Sequence, residues 1–170
     1  SGIADAFLIH DREIVNRCDD SIACSGPGGL QLIRRARGYT PRGIKLPHSG
    51  PPILAVGGEV KNAICVTRGD EAFVSQYLGE LTNPAACAYF EETIAHLLKL
   101  LEVSPTLVVH DLHRDTHATR VAAELARQRG IPMLGVQHHH AHVAAVLAEH
   151  HVTEPAFALA LDGGEIGTDG

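Results

Sequence analysis

The chain contains no tryptophan and only seven phenylalanine and tyrosine residues in 170. Too few aromatics are present to build a platform for stacked bases, which argues against a nucleic-acid surface. Cationic residues are also short, 14 against 20 acidic ones, for a net charge of −6. That balance carries no polyanion-binding signature. There is no CxxC pair, since Cys18, Cys24, Cys65 and Cys87 stand 6, 41 and 22 positions apart. Buried free thiols in a reducing compartment are therefore expected. No signal peptide, membrane-length apolar run, internal repeat or low-complexity tract is visible, so a cytoplasmic protein without membrane partners is expected.

What is present is a chain that is 45% hydrophobic, enough for a real core. Residues 6–10 and 13–16 read as two short strands, and Ser25–Gly29 as a loop. Arg34, Arg35 and Arg37 make the next stretch basic. Four prolines and three glycines between Gly38 and Pro52 then read as a linker. Beyond it, Ile53–Val56 and Ala63–Thr67 form a hairpin around Gly57-Gly58-Glu59, and Ala72–Ser75 reads as a third strand. Asn83 caps a helix with Pro84 at its first position. A strand at Leu107–His110, a helix at Thr116–Arg129 closed by Gly130, a strand at Met133–Val136, a helix at His138–His150 and a strand at Ala156–Leu161 complete the pattern. Alternating strands and helices after a hairpin predict an α/β layer with a mostly parallel sheet. The two ends, one running directly into a strand pattern and one stopping inside a glycine turn, suggest a piece of a longer protein.

Four histidines fall within Val136-Gln137-His138-His139-His140-Ala141-His142. On a helix, residues four apart lie about 40° apart around the axis and roughly 6 Å apart along it. His138 and His142 therefore share a face, and their imidazoles can converge on one ion. Two ligands rarely suffice, so an oxygen donor is expected from another element. Asp162 ends an apolar strand-like run, a place where α/β sheets present ligands. A surface histidine cluster that binds metal only adventitiously is the competing reading. A zincin is excluded, because His139 stands where that motif needs glutamate.

Two glycine turns bracket this cluster. Gly57-Gly58-Glu59, followed by Lys61 and Asn62, offers backbone N–H groups and a cation to a phosphate. Gly163, Gly164, Gly167 and Gly170 follow Asp162 and let backbone approach a ligand closely. Asp169 is a metal or water contact, or simply a turn former. Paired glycines are also common in plain hairpin turns. Together the two turns suit an actin-type or sugar-kinase-like ATPase lobe.

The order of these motifs resembles the HypF family of hydrogenase-maturation carbamoyltransferases. The matching segments are Val56–Asn62, Ser75–Leu81, His110-Asp111-Leu112-His113, Gln137–His142 and Leu161-Asp162-Gly163. Asn16–Ile22 and Ile33–Pro41 resemble the end of that family's YrdC-like domain. The resemblance implies a YrdC-like remnant and linker over residues 1–45, and the truncated first lobe of a metal-binding carbamoyltransferase domain over 46–170. It further implies that carbamoyl phosphate and ATP give carbamoyl adenylate at the YrdC-like domain. The carbamoyl group would then pass to the C-terminal cysteine of a HypE-type partner protein. His138, His142 and Asp162 would ligate a divalent metal, iron or zinc, with a further aspartate from beyond this chain. Lys61, Asn62, Gly163, Gly164 and Gly167 would surround the adenylate, while Arg17, Ser21 and Arg35 match positions near the YrdC-like nucleotide cleft. Exposed linker-side arginines are the plainer reading of that front group. Glu165 departs from the family's usual glycine, and its charge would oppose phosphate approach. The isolated piece is expected to be inactive. The alternatives are a tRNA threonylcarbamoyl-transferase-like enzyme and a non-catalytic metal- or nucleotide-binding module.

Overall fold

A computed structural model describes residue 2, residues 4–163 and residues 166–167. The front of the chain departs from expectation. Residues 6–10 and 13–16 form no strands, and Phe7, Leu8, Ile9, Ile14 and Val15 are all exposed. A strand needs a hydrogen-bonding partner, and none of the described residues offers one here. The first hairpin instead joins β1 (Ile22–Gly26) to β2 (Gly29–Arg34), so the expected Ser25–Gly29 loop shrinks to its turn.

The segment read as a linker contains a strand. β3 (Ile44–Gly50) pairs antiparallel with β5 (Cys65–Val74), setting Ile44 opposite Ala72 and Gly50 opposite Gly69. β3 is the edge of its sheet, where Pro47 removes a donor at little cost to pairing. The two strands expected at Ala63–Thr67 and Ala72–Ser75 are one continuous β5. Gly69, at φ +62, bends that strand without breaking it.

β4 (Ile53–Ala55) pairs antiparallel with β5 and parallel with β6 (Leu107–Asp111), which pairs parallel with β7 (Met133–Val136). The five-stranded sheet runs β3-β5-β4-β6-β7 and is mixed rather than mostly parallel. A strand at Ala156–Leu161 is not formed. Phe157, Leu159 and Leu161 all face solvent, and no ladder partner exists for them among the described residues.

The helices follow their capping signals. α1 (Pro84–Leu101) starts where the Asn83 side chain accepts the Ala86 N–H. α2 (His117–Arg129) is capped by Thr116 and closed by Gly130 in the left-handed region. α3 (His138–Glu149) is capped by Gln137, whose side chain accepts the His140 N–H. α1 and α2 cover one sheet face, where Leu54, Val66 and Val108 pack with Phe90, Ile94, Leu97 and Ala122. Burying these apolar surfaces supplies the core's stabilisation. α3 crosses the other face and buries no side chain fully. The four cysteines are free as expected, but Cys24 is exposed and the other three are half-buried. Among the described residues no helix is long and apolar enough to cross a membrane.

Candidate metal centre

The parallel strands β4, β6 and β7 end along the same side of the sheet, where α/β folds gather their ligands. β4 runs into Gly57-Gly58-Glu59, β6 ends at Asp111, and β7 leads through Gln137 into His138. These ends and the inner side of α3 enclose a cavity of about 870 Å³. Ala55 and Val109, on the face opposite the main core, form its floor. Lys61, His110, His113, His138, His142 and Asp162 line its walls.

His138 and His142 do share a face, as their spacing requires. Their Nε2 atoms are 3.1 Å apart, and Asp162 Oδ2 lies 3.0 Å from the His142 nitrogen and 3.6 Å from that of His138. Zinc–imidazole and zinc–carboxylate bonds of about 2.0–2.2 Å set ligand atoms roughly 3 to 3.5 Å apart, so the three edges suit one bound cation. No other group of three such side chains is close enough to share an ion among the described residues. The Gly163 N–H, then His142, holds the Asp162 carboxyl below its usual range and hence anionic.

Asp111 adds a second carboxylate behind the triad. Its Oδ2 lies 2.7 Å from His138 Nδ1, while Oδ1 accepts the His113 N–H at 3.1 Å and faces His113 Nδ1 at 3.3 Å. Burial works to raise its pKa, but hydrogen bonds from His138 and His113 outweigh that and hold it low. The motif His110-Asp111-Leu112-His113 gives Asp111 no role by itself. Its place at the end of a strand adjoining the histidine helix was the available signal.

The glycine turn is fixed from several sides. Gly57 has φ +69, and a Cβ there would meet the Ala63 carbonyl at 2.4 Å, so only glycine fits. Asn62 is buried, and its amide donates to the carbonyls of Val56 and Gly58 at 2.9 and 2.6 Å. In this structure Asn62 braces the turn and does not line the cavity. Glu59 accepts the His117 N–H at the start of α2. Lys61 lines the cavity from a left-handed backbone, φ 50.

The remaining sequence candidates lie elsewhere. Gly163 adjoins Asp162, and Gly167 is half-buried but does not line the cavity. Gly164, Glu165, Asp169 and Gly170 lie outside the described residues. Arg17 pairs with Glu92 at 2.6 Å and lies over the Tyr89 ring, while its carbonyl accepts from Tyr89 and Gln76. Ser21 bonds Ala36 and Arg37, and Arg35 donates to the carbonyls of Tyr39 and Arg42. All three brace the front segment, and none lines the cavity.

A profile of the HypF Kae1-like domain matches residues 48–149. The chain belongs to the HypF family. Carbamoyltransferase HypF2 of Cupriavidus necator is 62% identical across the whole chain, which spans 21% of that relative. Carbamoyltransferase HypF of Rhizobium leguminosarum bv. viciae is 47% identical over 99% of the chain and 22% of its own length. The chain thus spans about a fifth of the curated relatives it matches.

Solved HypF structures share the fold. A full-length HypF in its phosphate- and nucleotide-bound form matches with TM-score 0.89 at 45% identity, over 99% of this chain and 26% of that one. HypF of T. kodakarensis matches with TM-score 0.82 at 38% identity, over 91% of this chain and 20% of that one.

Proposed function

We propose that this chain is the Kae1-like portion of a carbamoyltransferase, and that its cavity delivers an activated carbamoyl group to a thiol. The observation that carries this reading is the triad of His138, His142 and Asp162, set 3.0 to 3.6 Å apart inside the segment that matches the Kae1-like domain. The reading takes ATP and carbamoyl phosphate as substrates and a HypE-type protein as acceptor, in the cytoplasm. Residues 1–45 are read as the end of a YrdC-like domain, where Arg17, Ser21 and Arg35 would border the nucleotide cleft.

The two imidazoles and the carboxylate would hold iron or zinc, which supplies Lewis-acid stabilisation of charge developing on a phosphoryl or carbonyl oxygen. The protein's own groups do the rest. Lys61 places a cation beside the nucleotide phosphates, and the side-chain-free Gly57-Gly58 turn lets them approach its backbone. Gly163 would hold the Asp162 carboxylate through its backbone N–H. Ala55, Val109, Ala141 and Ala145 give the cavity an apolar lining that limits water around the reacting group.

The test is carbamoyl transfer by the full-length protein from carbamoyl phosphate and ATP to a HypE-type partner, with metal content measured in parallel. Wild type is expected to transfer and to carry metal, and the H138A/H142A protein to do neither. Undiminished transfer by a metal-free double variant would overturn the reading.

A further inference from the structure

We propose that Asp111 is a positioning residue for the metal centre: it fixes the tautomer and ring orientation of His138, so that Nε2 presents its lone pair to the ion. The inference rests on the metal reading of the triad and extends it to the residue behind it.

The geometry leaves little freedom. Asp111 is the last residue of β6 and pairs in parallel register with Val136, two residues before His138. That register brings the carboxylate beside the first turn of α3. Its side chain is only 10% exposed, and both oxygens are engaged. Oδ1 accepts the His113 N–H at 3.1 Å, which ties the carboxylate to its own turn, and Oδ2 lies 2.7 Å from His138 Nδ1. An ionised carboxylate only accepts hydrogen bonds, so the proton of this contact belongs to Nδ1. In a neutral imidazole the other nitrogen, Nε2, then carries the lone pair. Nε2 is the atom that faces His142 Nε2 at 3.1 Å and Asp162 Oδ2 at 3.6 Å.

The glycine turn closes over the same pair. A Cβ on Gly58 would lie 3.5 Å from His138 Cε1 and 3.7 Å from Asp111 Oδ2, so the gap between the turn and this pair has room for no side chain larger than a methyl group. The two ligand histidines are therefore unequal. The His138 side chain is 26% exposed with its second nitrogen held, whereas that of His142 is 58% exposed. His138 is the anchored ligand and His142 the adjustable one.

Outer carboxylates of this kind typically change metal affinity by about 10- to 100-fold. The experiment uses the full-length protein, with zinc affinity measured by chelator competition and the visible absorption of the cobalt(II)-substituted form as a geometric signature. Asp111→Asn keeps an oxygen for the His113 N–H but can offer an N–H to His138 Nδ1, which favours the wrong tautomer. Zinc affinity is expected to fall about 10- to 100-fold with an altered cobalt spectrum, while the melting temperature of the metal-free protein stays at its wild-type value. Equal affinity and an unchanged spectrum would overturn the proposal. Wild-type protein that binds no zinc would instead sink the metal reading beneath it. A crystal structure of the zinc-bound wild type tests the same point without relying on a variant's folding. It is expected to show zinc on His138 Nε2 with Asp111 on Nδ1, and zinc on Nδ1 would refute the assignment.

Discussion

His138 and His142 point the same ring nitrogen at each other, Nε2 to Nε2 at 3.1 Å, from adjacent turns of a helix that buries no side chain fully. With both of these nitrogens unprotonated, two lone pairs at that distance would repel, so the arrangement favours a cation or a proton between them. Replacing either ring by alanine should therefore empty the site while sparing the fold. Metal per chain, measured by elemental analysis of the full-length protein, is expected to fall to background. Unfolding free energy of the metal-free protein should barely move for the exposed His142, and fall by about 1–3 kcal/mol for His138, whose loss strands the Asp111 carboxylate. Retention of stoichiometric metal by both single variants would contradict the assignment.

Gly57 makes a sharper test of the turn. Gly57→Ala adds a Cβ 2.4 Å from the Ala63 carbonyl at a backbone φ of +69. Left-handed strain alone costs about 1–2 kcal/mol, and the clash adds to it. Gly69→Ala shares the strain, at φ +62, but its nearest neighbour is Ser49 Oγ at 3.8 Å. Chemical denaturation should rank Gly57→Ala as the more damaging of the two.

Asn62 should behave as a brace of the same turn. Asn62→Ala leaves the Val56 and Gly58 carbonyls without their donor in a buried setting. A loss of about 1–3 kcal/mol is expected for stranding such groups. Asn62→Asp should be no milder, because it replaces the donor with a buried charge. Stability equal to wild type in both variants would show that the turn holds itself.

Burial pushes the Cys65 thiol up to about 11, against 9.0 for an ordinary thiol. The native state thus keeps this proton where the unfolded chain loses it. The stability tied to it is whole below about pH 9 and drains away as pH rises through about 11. Two pH units correspond to roughly 3 kcal/mol at most. Cys65→Ala should flatten the alkaline decline in denaturation midpoint over that window. At pH 8 the exposed Cys24 should react with a thiol reagent well before Cys65 does.

Sequence reading reached furthest where local chemistry speaks alone. Asn83-Pro84 and Gly130 mark helix ends through hydrogen bonds within a few residues, and both act as expected, while Thr116, read as the first residue of α2, caps it instead. The i, i+4 histidines carry their own geometry in the same way. Partnership between distant segments was harder to see. Pro47 hid β3, because a proline at a sheet edge looks like a linker until the neighbouring strand is known. Phe157, Leu159 and Leu161 alternate like a strand, yet alternation cannot supply a hydrogen-bonding neighbour. Asp111 stayed without a role for a related reason, since only the β6–β7 register brings it to His138.

The thin seating of α3 would give a bound ion a second office. Where a helix lacks an apolar anchor, whatever crosslinks its side chains to the rest of the molecule also holds it in place. Coordination by His138, His142 and Asp162 would stitch α3 to the segment that follows it, so withdrawing the cation loosens architecture as well as chemistry. Chelation would then act as a local denaturant, felt first in the amide exchange of α3 and scarcely at all beneath α1.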